Sequence, residues 1–450
     1  MNKLFKVEIL KNKQLKLVFV FVVMVIFLNC PLDTDPVIPP HVDVEGISLN
    51  NSNVTLFFSE GEQQYNYQTT LNAVILPAGA SNRAVTWKSS DEGVVTVASG
   101  VVTAVGAGNA VITVTTDEGE FSAVSAIIVR PLYFYSQFGA VGDGIADDFA
   151  AIAATHAAAN LSGGKVMADL EHGVTYFIGD APSPVIIRTD TNWGNANFII
   201  DDTLAQTAGQ WVFRIEPVFS SFSILNRGVS TLAVDQPRLF LTPPLEGDAL
   251  VIAIDNTTLR YRRSNPDTDG TFQRDMFIVD RDGNVDPDTP IIWDFNNISS
   301  LMAHPIDEDT LTVTGGRFRR IPDDRNQTGY MNRGIQIIRS NTIIDGIHHT
   351  VEDRSPQVRP YNAFIMVSNA ANVTIKNSMF TGRRHYQNRG TYDLGANTAV
   401  NLNFINSGQT NPITDSAFWG IFGGNYMKNI LFDNVSFSRF DAHRGVHMRQ

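Results

Sequence analysis

The stretch SRFDAHRGVHMRQ (438–450) places Arg439, Asp441 and His443 within five positions of one another. Upstream lie Arg383, Arg384, His385 and Tyr386, with Asp393 a few residues on. Histidine, tyrosine and aspartate move protons near neutral pH, and a guanidinium fork matches a carboxylate or sulfate. Such a set suits abstraction of a proton beside a neutralised carboxylate and return of a proton to a leaving oxygen. With a second carboxylate it also suits glycoside hydrolysis, retaining at a separation of ~5 Å and inverting at ~6.5 to 9.5 Å. Solvated surface groups are the competing reading of the same residues.

Charge supports an anionic ligand. The whole chain carries -12, but from Leu311 onward fourteen Arg and two Lys face nine Asp or Glu, so this part is +7 and the first 310 residues are -19. The overall acidity argues against a general nucleic-acid binder, and the local arginine excess argues for an acidic polymer such as a uronate-containing polysaccharide.

The elements that must position these residues are legible as a repeat. LTVTG (311–315), TIIDG (342–346), VTIKN (373–377), LNFIN (402–406) and ILFDN (430–434) recur at spacings of 31, 31, 29 and 28 residues. Their first and third residues are apolar or β-branched and the fifth is Gly or Asn, the signature of stacked supersecondary units. Asn377, Asn406 and Asn434 are expected to form an internal ladder at a left-handed corner. Equal offsets past each repeat start give Glu352 and Asp353, then 383–386, then 412–415, then 440–443. That predicts one groove floor along the stack. Nothing after Asn434 resembles a terminal cap, so the sequence predicts a chain that is a piece of a longer one or is capped by a partner.

Upstream the texture differs. VTLFF, AVTWKSS, VVTVASGVVTAV and AVITVTT alternate with period two between Ser-Gly and Gly-Ala-Gly turns, which predicts a β-sandwich with Trp87, Val97, Val102, Ile112 and Val114 in its core. In FGAVGDGIADDFAAIAATHAAANLSGGKV (138–166), Asp148 is placed to cap a helix through its carboxylate, and Gly163 with Gly164 to end it. Between 180 and 310, NFIID, ALVIAIDN, DMFIVDRDG and PIIWDFNNI read as strands of further coils with longer loops, alongside a Tyr261, Arg262, Arg263 cluster.

Three resemblances add to this reading. VTWKSSDEGVVTVASGVVTAVGAGNAVITVTT resembles the group 2 bacterial immunoglobulin-like domain, over about residues 43–131. The 138–166 block resembles the entry of pectin-lyase-like right-handed parallel β-helix proteins, which implies an N-terminal capping helix and a solenoid over 132–450. That architecture serves hydrolases, lyases, epimerases and tailspikes alike, and the GHG and RIK elements of polygalacturonases are missing. MNRGIQIIRSNTIIDGIHHTV, GTYDLGAN and WGIFGGNYMKNILFDNVSFSRFDAHRGV resemble a group of bacterial surface β-helix proteins of undefined chemistry.

At the start, five lysines precede the twelve-residue run LVFVFVVMVIFL (17–28), too short to span a bilayer comfortably, and Cys30 follows. Residues 1–30 therefore read as a signal peptide. Cys30 before the Pro-rich 31–42 tether resembles a lipoprotein processing site, with Asn29 a departure from the usual small residue. As the single cysteine it allows no intramolecular disulfide.

The expectation is an all-β protein: an immunoglobulin-like sandwich, then a right-handed parallel β-helix. It is expected to be an exported lipoprotein of the cell surface or outer membrane, or alternatively a secreted protein, acting on an acidic polysaccharide by lyase or glycosidase chemistry. Asp441, His443, Arg439, His385 and Asp393 are the candidate catalytic residues. Arg383, Arg384, Tyr386, Asp353 and Trp419 are the candidate substrate contacts. No cofactor is implied by name, and Ca²⁺ stays open. The alternative is a non-catalytic glycan-binding protein or adhesin.

Overall fold

The computed structural model describes residues 40–61, 63–260, 270–323, 325, 329–352, 359–381, 391–411 and 420–447. These divide into two compact units. The smaller comprises the described residues before 49 with 74–86 and 115–122, around Val44, Ile75 and Ala80. The larger comprises 49–73, 87–114 and 123–450.

Within the larger unit the alternating segments fold as read. Val102, Ile112 and Val114 are fully buried, and Leu56, Val95 and Ile127 complete this core, with Trp87 and Val97 packed at its margin. The 13-residue strand Ser122–Phe134 then does two jobs. Ala126–Pro131 pairs in parallel with Asn53–Phe58, and Leu132–Phe134 pairs in parallel with Lys165–Met167. The backbone thus passes from sandwich to solenoid inside one strand, with no linker at 131.

The solenoid is a parallel β-helix of three sheets. Sheet A follows the register Tyr133, Val166, Thr191, Val313, Ile344, Ile375, Phe404 and Phe432. Sheet B runs through Phe177, Ile199, Arg319, Thr350 and then Met379 to Gly408. Sheet C runs through Val185, Phe213, Ile335, Ile365, Leu394, Phe422 and Phe440. Side chains alternate across each strand, so the first and third residues of the repeat point inward and Leu311, Val313, Ile344, Val373, Ile375 and Leu402 are buried. A slip of one residue would turn this whole set to water, which is why the repeat was readable.

Asn377, Asn406 and Asn434 do occupy the left-handed region, with φ of 52°, 48° and 50°. Their side chains, however, lie on the exposed rim of the corner, where Asn434 Nδ2 donates to Asn406 Oδ1 at 2.8 Å. A second ladder at the corner before sheet A is more continuous. Asn341, Asn372, Asn401 and Asn429 all have φ of 50° to 57°, and each Nδ2 donates to the Oδ1 of the preceding rung at 2.9 to 3.0 Å.

One helix, α1 (Phe149–Ser162), sends Ile152 and Ala159 into the solenoid core. Gly163 ends it at φ 68°, as expected. The expected cap by Asp148 is corrected. Its carboxylate instead accepts from the backbone N–H of Val141 (2.6 Å), Gly142 (3.3 Å) and Phe177 (3.3 Å), while Asp147 accepts from Phe149 N–H at 3.0 Å. Both carboxylates are structural.

The largest departure lies between the strands Phe213–Ile215 and Leu311–Ile321. This segment is not a set of further coils. It is an inserted antiparallel sheet in the order Phe222–Ser223, Ser300–Pro305, Ala249–Leu259, Phe272–Val279. One face covers its own core of Val251, Ala253, Phe277, Val279, Phe295 and Leu301. The other places Leu250, Ile252, Met276 and Ile278 on Ala371, Val400 and Tyr426 of the β-helix. A strand buried on both faces reads as a continuous apolar run, as a parallel coil does, so ALVIA could not tell the two apart. PIIWDFNNI forms no strand, and the Tyr261, Arg262, Arg263 cluster lies outside the described residues. Polar pins hold the insertion: Lys428 Nζ donates to Asp275 Oδ1 (2.8 Å) and Pro290 O (2.6 Å), with both charged side chains 1% exposed. Burial holds the Asp275 carboxyl above the usual carboxylate range even beside Lys428.

Candidate functional site

Most of the SRFDAHRGVHMRQ stretch is strand. Phe440–His447 is a strand that extends sheet C, with Phe440 opposite Phe422, Asp441 opposite Gly423 and Ala442 opposite Gly424. Its ring stacks on Phe422 at 5.2 Å, which fixes the alternation so that Asp441 faces outward. The register then shifts: Arg444 is the residue opposite Asn425, leaving His443 as the extra residue of a bulge. A bulge re-aims a side chain, here the imidazole.

Tyr392, two coils before this strand, reaches it across the intervening coil because Gly423 lies beneath the ring. A Cβ at Gly423 would come within 2.6 Å of the Tyr392 ring. The Tyr392 hydroxyl donates to Asp441 Oδ2 at 2.7 Å and sits 3.1 Å from His443 Nε2. The two rings meet edge to face at 5.9 Å. Arg439 Nε donates to Asp441 Oδ1 at 2.7 Å; Asp441 is 15% exposed and Arg439 45%. A carboxylate, a phenol, an imidazole and a guanidinium therefore converge on the outer surface of sheet C. If His443 carries its proton on Nε2, the phenol oxygen accepts it while the phenol proton goes to Asp441, a relay with both ends at the surface. Farther along the same sheet, Arg214 Nε donates to Gln336 Oε1 (2.8 Å) and Arg188 pairs with Glu216 (2.8 Å).

Arg439, Asp441 and His443 are thus brought together as the sequence suggested, and Tyr392 joins them. The sequence reasoning missed Tyr392; the signal was its place one coil before a glycine on the outward side of the sheet. Another expectation is corrected. Asp393 is not on the surface. Its side chain is fully buried with His349, Nδ1 to Oδ1 2.6 Å, in a close but poorly aligned contact, and His349 stacks on Phe364 at 3.9 Å inside the solenoid. Residues 383–386, expected in the same slot as 440–443, lie outside the described residues. Asp441 is in register with Gly423 and, through it, with Gly395 and Met366, because the connection from sheet B to sheet C is far shorter in this coil. Cys30, Asp353, Arg383, Arg384, His385, Tyr386 and Trp419 lie outside the described residues.

A second charged cluster went unnoticed. Asp202, fully buried, accepts from Arg320 Nη2 (2.7 Å), Arg333 Nε (3.0 Å) and the Tyr361 hydroxyl, and the Arg320 guanidinium lies 3.9 Å over the Tyr361 ring. Both arginine side chains are fully buried. Among the described residues, one grouping of His, Asp and Glu is close enough to hold a metal ion: His41, Asp43 and Glu118, in the smaller unit. It is exposed, and Glu118 holds the His41 imidazole above its ordinary pKa.

Comparison with known proteins divides along the same lines. Residues 43–127 match the bacterial Ig-like domain (group 2). This segment is a group 2 Ig-like domain. An alpha-L-arabinofuranosidase of Bifidobacterium longum is 37% identical over 99 residues, which are 22% of this chain and 9% of that protein. Among solved structures, the surface adhesin PfbA of Streptococcus pneumoniae is similar over 67% of this chain and 57% of its own, at 14% identity and a TM-score of 0.35. A family 28 exopolygalacturonase of Yersinia enterocolitica is similar over 75% of this chain and 62% of its own, at 12% identity and a TM-score of 0.22. The chain spans less than two thirds of each of these relatives. At such TM-scores the likeness carries no argument about activity, and the β-helix stands on its own strand register.

Proposed function

We propose that the protein is an exported, surface-exposed carbohydrate-active β-helix protein that acts on an acidic polysaccharide along the outer face of sheet C, by elimination at the Tyr392, Asp441, His443 and Arg439 cluster. The observation that carries this is the Tyr392 hydroxyl reaching over Gly423 to bridge Asp441 and His443 two coils on. In the reaction a base takes the proton beside the uronate carboxylate, the ring carbon to leaving-oxygen bond breaks, a carbon–carbon double bond forms, and the leaving oxygen takes a proton from solvent water while the base returns its own to solvent. His443 is the proton acceptor, Tyr392 passes charge to Asp441, and Arg439 faces the substrate carboxylate. Hydrolysis needs two carboxylates about 5 to 9.5 Å apart. Asp441 supplies one; of the other candidates among the described residues, Asp393 is buried against His349 and Glu352 is paired with Arg319. Lyase chemistry is therefore the better match.

The test is incubation with a panel of acidic polysaccharides, following the ultraviolet absorbance of unsaturated uronates and the appearance of reducing ends. Asp441→Asn and His443→Ala are expected to abolish turnover and leave the melting temperature in place. Full activity in both removes the cluster from the mechanism.

One observation favours a purely binding role. The Arg439 to Asp441 ion pair already satisfies both charges, as a recognition surface would. Binding to acidic polysaccharides with no product from any of them decides for that reading. The Ig-like domain then acts as a spacer, and Cys30 as a lipid anchor, which mass spectrometry of the mature N-terminus checks directly.

A further inference from the structure

A groove of about 400 Å³ lies on the outside of sheet A, not on sheet C. Thr374, Asn403 and Leu431 form its floor in register on three successive coils. Asn372, Asn401 and Asn429 form its side. Its size falls within the range of about 300 to 1,000 Å³ that small-ligand sites occupy.

Two features point to a ligand. None of the lining side chains is ionisable, so the groove offers amides and a hydroxyl without net charge. Asn372 and Asn401 each spend one N–H on the rung before, which leaves a second N–H and a carbonyl lone pair on each of these two rungs. Asn403 Nδ2 reaches Thr374 Oγ1 at 3.3 Å, a long contact that a better acceptor can replace. At the end of the ladder the arrangement is incomplete. Asn429 Nδ2 donates both to Asn401 Oδ1 (3.0 Å) and to Asp288 O (2.6 Å), which fixes the amide orientation, and its buried Oδ1 has no partner among the described residues. A buried acceptor without a donor is unusual in a native fold, and it sits where the groove is lined. Beside it Leu431 is 47% exposed, an apolar surface among hydrogen-bonding groups.

We infer that this groove binds an uncharged, hydroxyl-rich glycan segment, with hydroxyls on the Asn and Thr rungs and the C–H face of a ring on Leu431. The rungs repeat at the strand spacing of ~4.8 Å, so equivalent hydroxyls of an extended chain meet equivalent amides. This site is separate from the sheet C cluster and does not depend on it.

Titration calorimetry of the full chain against neutral gluco-, manno-, xylo-, galacto- and arabino-oligosaccharides tests the inference. At least one is expected to bind with a Kd of about 1 mM or tighter. Thr374→Val with Asn403→Leu, two outward-facing changes, should weaken that binding at least about tenfold with the melting temperature unchanged. Leu431→Asp should do the same by a different route, and Asp441→Asn should leave it untouched. No binding by any of the sugars overturns the inference. So does binding that survives both groove variants, or binding that disappears with Asp441→Asn, which would place it on sheet C instead.

Discussion

Asp202 and Asp441 each hold an arginine and a tyrosine hydroxyl, and yet they stand in opposite surroundings. Around Asp202, Arg320, Arg333 and Tyr361 are fully buried, and the Nη1 groups of both arginines lack a hydrogen-bond partner among the described residues. Around Asp441, the arginine is 45% exposed and the carboxylate 15%. Removing one partner of a buried ion network strands the others at low dielectric, whereas an exposed pair is screened and contributes little. The same residue types are therefore closed off from water in one place and reachable from it in the other.

That contrast can be broken in order of size. Asp202→Ala leaves two buried guanidiniums facing each other and should cost about 3 to 5 kcal/mol of stability, read as a shift in the denaturant midpoint. Stability within about 1 kcal/mol of the parent would show that the buried network carries no strain of charge. Tyr392→Phe keeps the ring over Gly423 and removes only the bridging hydroxyl. Turnover of an acidic polysaccharide should fall about 100-fold, with the melting temperature held; an unchanged rate removes the relay.

Acid provides the third test. His156 is buried against Tyr135, whose hydroxyl lies 2.9 Å from Nε2, and burial pushes its pKa down to about 3. The folded state thus keeps the imidazole neutral where the unfolded chain, with a pKa near 6.5, binds a proton. Stability from this group is present above the unfolded value and is lost as pH falls from 6.5 towards 3, at about 1.4 kcal/mol per pH unit. His156→Leu should flatten that slope between pH 6 and 4, and an unaltered slope assigns acid sensitivity elsewhere. The smallest effect belongs to Arg439→Gln. Breaking its exposed pair with Asp441 should change stability by less than about 1 kcal/mol while weakening binding of acidic polysaccharide. A larger loss of stability would mean that the cluster holds the fold together.

The regular coils were readable because each carries an inward face. A Leu, Val, Ile or Thr two positions from the next has one arrangement that excludes water, and the Gly or Asn that follows has one that turns the chain. Residues between coils obey no such rule. Connections from sheet B to sheet C differ in length from coil to coil, so counting residues does not give the partners of 440–442, which the ladder sets as 422–424. His349 shows the same limit at a single position. In HHTV it reads as an exposed polar residue, but it takes the inward place that Phe318 and Phe380 hold on neighbouring coils and is closed in with Asp393.

From sequence alone came the alternation of the Ig-like core, the solenoid repeat, the left-handed asparagines, and the grouping of Arg439, Asp441 and His443. These are local properties: period, turn chemistry and residue type. Tertiary structure alone decided that 216–310 leaves the solenoid as an antiparallel sheet, that Asp393 is buried while Asp441 is reachable, and that Tyr392 crosses a glycine to join it. Each of those depends on which strands lie side by side, and pairing across a hundred residues is a matter of register and burial that no local pattern records.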